Sequence, residues 1–199
     1  MVCFSFSKFT FINDEPQPIP ASKQRSGDAI KGYEYLTTGD YLKSGIPFSL
    51  FTFGIPKDTN NYLGRTGINK NIPFDFTAVT APNGETVVAP NCLQCHAQMF
   101  EGKLVMGLGN SLSDFTKEVS GTALMAEKFL QNMKGDNAKK YEAAKNFITA
   151  VKATAPGLVT STKGVNLADR LAALLVAHRD PVTLQWSDNT LVGTNYDVI

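Results

Sequence analysis

The clearest alternation along the chain is FDFTAVTAPNGETVVAP, residues 74–90, in which two runs rich in Thr, Val and Phe flank Asn83-Gly84. An Asn-Gly pair favours the positive φ angles of a tight turn, so this segment predicts a β-hairpin. IPFSLFTFG (46–54) is apolar enough to predict an extended segment, ended by a turn at Gly54-Ile55-Pro56. GDAIKGYEYL (27–36) predicts a short helix, with Ile30, Tyr33 and Leu36 nearly on one face. Residues 1–26 are polar and Pro-bearing and predict an extended arm. Residues 56–73 carry Gly, Asn and Pro without periodicity and predict a long ordered loop.

Beyond residue 110 the pattern becomes helical. Met125, Phe129 and Met133 recur at four-residue spacing with Leu130 beside them, and Gly135 suits the end of such a helix. DNAKKYEAAKNFITAVKATAPG predicts a second helix, capped by Asp136 or Asn137 and stopped by Pro156, with Tyr141, Ala144, Ile148 and Val151 inward. NLADRLAALLVAHRDP predicts a third, capped by Asn166 with Asp169 three residues on, and stopped by Pro181. Its apolar face holds Leu167, Leu171, Leu174 and Leu175 and continues to His178. The expected architecture is mainly α with one β-hairpin and an extended N-terminal arm. The boundary falls after residue 73: 1–73 is arm and loop-rich extension, and 74–199 is the functional domain.

With 199 residues, 43% of them hydrophobic, the chain can bury a core without disulfide staples. Its net charge of +1, from 19 basic and 18 acidic residues, argues against a broad nucleic-acid footprint. No apolar run approaches the ~20 residues that a membrane-spanning helix needs. The start, MVCFSFSKFT, is interrupted by Ser and Lys and is followed by no small-residue cleavage site. Cys3 lacks the preceding small residues of a lipoprotein anchor.

The chemistry is concentrated in APNCLQCHAQM (89–99), which holds two of the three cysteines and one of the two histidines. Cys92-Leu93-Gln94-Cys95-His96 has the C-x-x-C-H spacing of covalent haem attachment. On one helical turn the two thiols share a face, and each can form a thioether to a haem vinyl group while His96 ligates the iron. Three other possibilities stand beside it. A zinc site needs four ligands, and only Cys3 and His178 are left to complete one. A redox dithiol would follow a strand in a βαβ unit, whereas the downstream pattern here is helical. The third is chance. Haem is the leading expectation, at one per chain.

CLQCH, followed by GKLVMGLGN (102–110), resembles the cytochrome c family over roughly residues 90–180. The resemblance implies a cytochrome c-like helical domain with haem held by Cys92, Cys95 and His96. It also implies that the 102–110 loop packs under the proximal imidazole and accepts its ring N–H. NCLQCH…GLGNSLSDFT and HRDPVTLQW are further similar to the first part of larger multi-haem bacterial proteins, distantly like di-haem peroxidases. Those carry a second C-x-x-C-H, which this chain lacks. Because the chain stops abruptly at GTNYDVI, it is expected to be part of something longer. The implied function is single-electron transfer, to a redox protein partner or a second haem domain, in the periplasm or another extracytoplasmic space. The alternative is one haem domain of a larger peroxidase- or oxygenase-like enzyme.

The second axial ligand is left open among His178, Met125, Met133 and none. Met99 is too close to His96 to reach the opposite face, and Met106 lies in the loop assigned to the proximal side. His178 extends an otherwise leucine-only helical face, though a helix-end histidine can equally serve the last carbonyls. Met125 and Met133 lie on an apolar stripe where methionine commonly fills core. Trp186 and Tyr196, in the polar tail, fit packing anchors better than electron relays. No nucleophile triad and no phosphate-binding loop is visible.

Overall fold

The computed structural model describes residues 20–23, 26–55, 57–58, 60–118, 120–132 and 137–188. Met133, Gly135, Asp136, Cys3 and Tyr196 lie outside them, as does most of the expected N-terminal arm.

The first element is α1, Ala29–Thr38, whose start is fixed by Asp28. The Asp28 carboxylate accepts from the amides of Ile30 and Lys31 at 3.0 and 3.1 Å, which satisfies two of the donors a helix start leaves open. Of the face shared by Ile30, Tyr33 and Leu36, Leu36 packs against a core cluster and the Tyr33 hydroxyl donates to the Leu63 carbonyl at 3.1 Å. Ile30 is 73% exposed, and Thr37 is the fully buried residue of this helix.

IPFSLFTFG does not run extended. Only Ile46–Pro47 is strand (β1), and Phe48–Gly54 turns into a helix, α2. The spacing of Phe48 and Phe51 explains this, because it places two apolar side chains on one helical face, with Ile55 following as the helix ends. They pack with Ile72, Ala78 and Val88 in one core cluster.

The hairpin around Asn83-Gly84 forms as expected. Strand β2 (Phe76–Thr80) pairs antiparallel with β3 (Thr86–Pro90), and Gly84 takes φ +79° in the turn. Beyond expectation, β1 adds to the other edge of β3, giving a three-stranded sheet in the order β1-β3-β2. Alternation sends the two faces to different partners. Ala78 and Val88 face the α2 cluster, while Val79 and Val87 pack with Ala143.

After β3 the chain makes a single helical turn, α3 (Leu93–His96), and then a second hairpin, β4 (Ala97–Phe100) with β5 (Lys103–Met106). Two long helices follow, α4 (Ser120–Asn132) and α5 (Asn137–Thr154). They pack through Leu130, Ala144 and Ile148, and Lys152 pairs with Glu127 at 2.7 Å. The last helix is α6, Ala168–Ala177.

The expected mainly α, cytochrome c-like fold is therefore incorrect. Of the described residues, 44% are helical and 14% lie in strands, arranged as two small sheets. The physical reason lies on both sides of the cysteine pair. The segment before it is a three-stranded sheet buried on both faces, and the segment after it, expected as a loop, pairs as a β-ribbon. No helix among the described residues is long and apolar enough to cross a membrane.

Candidate functional site

The cysteine turn is built from its N-terminal side by Asn91, which is 8% exposed and uses its whole side chain. Its Nδ2 donates to the Phe74 carbonyl and to the Thr77 hydroxyl, both at 3.0 Å, and its Oδ1 accepts from the Leu93 amide at 2.9 Å. Its backbone amide donates to the Asp75 carbonyl at 3.0 Å. Asn91 thus ties the first residues of α3 to the hairpin, and Leu93, 1% exposed, anchors the turn in a core cluster with Leu63 and Ala97.

The next layer holds the residues that Asn91 leans on. Arg65 is 5% exposed and donates to the carbonyls of Phe76 (2.7 Å), Pro73 (3.0 Å) and Ile72. Burial lowers its pKa, while the carboxylates of Asp58 and Asp75 favour its charge. The same burial raises the Asp75 carboxyl.

Within the turn, the His96 amide donates to the Cys92 carbonyl at 3.1 Å, which closes one helical turn around the motif. Cys92 is exposed, Cys95 is half-buried, and both are free thiols. Burial, and then the neighbouring Cys92, push the Cys95 thiol upward in pKa. This is opposite to the lowered value that makes a dithiol reactive. His96 is exposed, and its ring has no hydrogen-bond partner among the described residues. Tyr41 lies close enough to Cys92 for the two to repel when ionised, although burial is the larger cause of its raised pKa. Its ring packs edge-on against Tyr35 at 4.9 Å between centroids.

The carbonyl end of the turn is also occupied. The Gly107 amide donates to the His96 carbonyl at 2.7 Å, and the Asn110 amide to the Cys95 carbonyl at 3.0 Å. Asn110 Nδ2 donates to the Gln94 carbonyl at 2.9 Å, and Asn166 Nδ2 reaches the Cys95 carbonyl at 2.8 Å. The expected loop at 102–110 thus divides into β5 and a short return. That return meets the turn through backbone and asparagine amides, and on residue 96 it bonds the carbonyl rather than the imidazole.

The remaining candidates lie on other elements. His178 follows the last residue of α6 and is 7% exposed. Its Nδ1 is 3.0 Å from the Ser187 carbonyl, and its ring stacks on Trp186 at 4.8 Å and 4°. Those contacts account for Nδ1 and for one face of the ring, and they give Trp186 the part of a packing anchor. Met125 is 66% exposed on α4, with Phe129 at 54% beside it, so the stripe expected to face inward faces outward. Leu130 and Ala123 take the inward positions instead. Met106 ends β5 at 40% exposure, and Met99 lies across from Leu104 in the ribbon. Among the described residues no three His, Cys, Asp or Glu side chains are grouped to hold a metal ion.

Sequence reasoning located the turn but missed the groups that hold it. Asn91, Asn110 and Asn166 are scattered polar residues, and only Asn166 had a visible task, as a helix cap. The N-cap of α6 is Leu167 instead, and Asn166, one residue earlier, turns the chain toward the helix, its Oδ1 accepting from the Ala168 amide at 3.1 Å. Set beside known family models, curated proteins and solved structures, the chain matches none.

Proposed function

We propose that Cys92-Leu93-Gln94-Cys95-His96 is a covalent haem attachment site and that the protein transfers single electrons through it, as a c-type cytochrome. The observation that carries this reading is the turn itself. Two free thiols, one exposed and one half-buried, lie three residues apart on one helical turn, and the next residue offers an exposed imidazole whose ring has no hydrogen bond among the described residues. Those residues fit the group: Cys92 and Cys95 would tether the ring, and His96 would give the iron one axial nitrogen. A bound haem supplies a one-electron iron couple. A zinc site would need further converging donors, and none is grouped with these among the described residues.

The chain's own part is to hold the turn still and to provide apolar cover. Asn91 and Leu93 fix its start, and the amides of residues 107 and 110 fix its end. Met106, Leu108 and Leu112 follow closely in sequence and are 40%, 38% and 71% exposed, which leaves apolar surface beside the motif. That surface supports a partner that docks there, either a separate redox protein or a second haem domain. Covalent attachment of this type belongs to assembly outside the bacterial cytoplasm, so the proposed location is the periplasm or an equivalent compartment.

The test is expression of the chain together with c-haem maturation machinery, followed by absorption spectra of oxidised, reduced and denatured protein. The expected result is haem that stays attached after denaturation, with attachment reduced by Cys92→Ala or Cys95→Ala. His96→Ala should keep the covalent link and change the axial ligation. A wild-type chain that retains no haem after denaturation overturns the proposal.

A further inference from the structure

Two loops converge on the carbonyl end of the cysteine turn, and their contact is closer than ordinary packing. Gly164 donates from its amide to the Ser113 carbonyl at 2.9 Å, and Thr160 from its amide to the Phe115 carbonyl at 3.0 Å. Lys163 pairs with Asp114 at 2.9 Å. A Cβ on Gly164 would lie 2.7 Å from the Ser111 carbonyl oxygen, so only glycine allows this approach. Each loop then presents one asparagine to the same turn.

The two side chains are used in matching ways. Asn110 directs Nδ2 to the Gln94 carbonyl, while its Oδ1 accepts from the Leu112 amide at 2.9 Å. Asn166 directs Nδ2 to the Cys95 carbonyl, while its Oδ1 accepts from the Ala168 amide at the start of α6. In both cases the oxygen shapes the asparagine's own loop and the nitrogen is spent on the turn. With the Asn110 amide added, the Cys95 carbonyl accepts two hydrogen bonds. The Cys95 carbonyl belongs to the peptide that leads into His96. Its direction therefore sets the direction from which the imidazole leaves the backbone.

We propose that Asn110 and Asn166 are positioning residues for His96. They hold the Gln94 and Cys95 peptides so that the imidazole meets the iron in one orientation. This inference rests on the proposed haem attachment, and it adds that ligand geometry is set by two loops distant in sequence from the motif.

Asn110→Asp and Asn166→Asp separate the two uses of each side chain, because aspartate keeps the oxygen that accepts from the amide two residues on but removes the donor. The measurement is the electron paramagnetic resonance spectrum of the ferric holoprotein, which follows the orientation of the axial imidazole, together with the reduction potential. The wild type should give one sharp set of signals. Each aspartate variant should keep its covalent haem and show split or broadened signals with a displaced potential. Asn166→Gln, which restores a donor, should recover part of the wild-type spectrum. The double variant should show less than the sum of the two single effects, because both donors act on adjacent peptides. If an aspartate variant fails to fold, Asn110→Ser and Asn166→Ser give the same comparison, since the serine hydroxyl can still accept from the amide two residues on but is too short to reach the turn. Wild-type spectra and potentials in folded variants that lose only thermal stability would reduce the clamp to a structural role and overturn the inference. Absence of covalent haem in the wild type sinks the haem reading itself, a separate and distinguishable failure.

Discussion

Asn91 donates to the Thr77 hydroxyl at 3.0 Å, and both residues are buried, so the cysteine turn is hydrogen-bonded directly to the second strand of the sheet. One side of the motif is thereby fixed to the most regular part of the fold. The other side is fixed to loops.

Asn91→Ala removes three hydrogen bonds at once and leaves the Phe74 carbonyl and Leu93 amide without that partner. The expected cost is about 2–3 kcal/mol, in the range for buried polar groups that lose their partner. Chemical denaturation measures it, and covalent haem yield under identical maturation conditions should fall in parallel. Asn91→Asp should retain the bond to Leu93, lose that to the Phe74 carbonyl and keep the Thr77 contact only by having the hydroxyl donate, giving an intermediate result.

Arg65 makes the second stability prediction. Its guanidinium gathers carbonyls of Ile72, Pro73 and Phe76, the segment on which Asn91 rests. Arg65→Met leaves these acceptors buried without a donor and should destabilise by about 3 kcal/mol or more. Arg65→Lys restores charge but not the planar fork and should recover only part of the loss. Equilibrium unfolding curves distinguish the three proteins, and a methionine variant as stable as wild type would contradict this role.

How much of this was legible in the sequence varied with the range of the interactions. The hairpin was legible because Asn83-Gly84 and the flanking β-branched residues are a local signal, and local turn chemistry decides such a structure. The last two helices were legible from their spacing. IPFSLFTFG was misjudged because a short apolar run fits either a strand or a helix, and its contacts with Ile72 and Val88 decided for the helix. The helix at 120–132 was found with its face reversed, because Leu130 rather than Met125 meets Ala144 and Ile148. The cysteine motif stood out as chemistry. Its clamps did not, since Asn110 and Asn166 are 56 residues apart and act only after two loops meet.

Those two loops give a prediction about acid. The Thr116 hydroxyl first, and then Lys163, hold the Asp114 carboxyl well below the usual carboxylate range. A carboxyl lowered on folding contributes stability that is full above its unfolded value, near about pH 4, and is lost as pH falls below it. The loop pair should therefore loosen on acidification, and Asp114→Asn should flatten the acid limb of the stability–pH curve without changing its slope near neutrality. Asp114 is exposed to solvent, so salt should weaken the Lys163 part of the effect.

Gly164→Ala strikes the same loop pair without altering charge. The alanine would have to take φ +81° and place its Cβ against the Ser111 carbonyl. The expected destabilisation is about 1–3 kcal/mol, the range for a non-glycine residue held in a strained backbone region. Hydrogen exchange should show faster opening of the 111–115 and 160–164 amides, with the β2–β3 hairpin unaffected.

His178 provides the last prediction, and it separates a structural histidine from an iron ligand. Asn166 tethers the start of α6 to the Cys95 carbonyl, and the helix then rises about 15 Å over its ten residues before reaching His178. At that far end the ring lies flat on Trp186 and faces the Ser187 carbonyl, an arrangement that docks the chain after the helix. His178→Phe keeps the stacking surface and loses the polar contact, so it should cost about 1 kcal/mol. It should leave the haem spectrum of the maturated protein unchanged, in both oxidation states. His178→Ala should cost more, because the Trp186 face also loses its cover. If either variant converts low-spin iron to high-spin while the protein stays folded, the ring belongs to the iron and the structural role assigned here is incorrect.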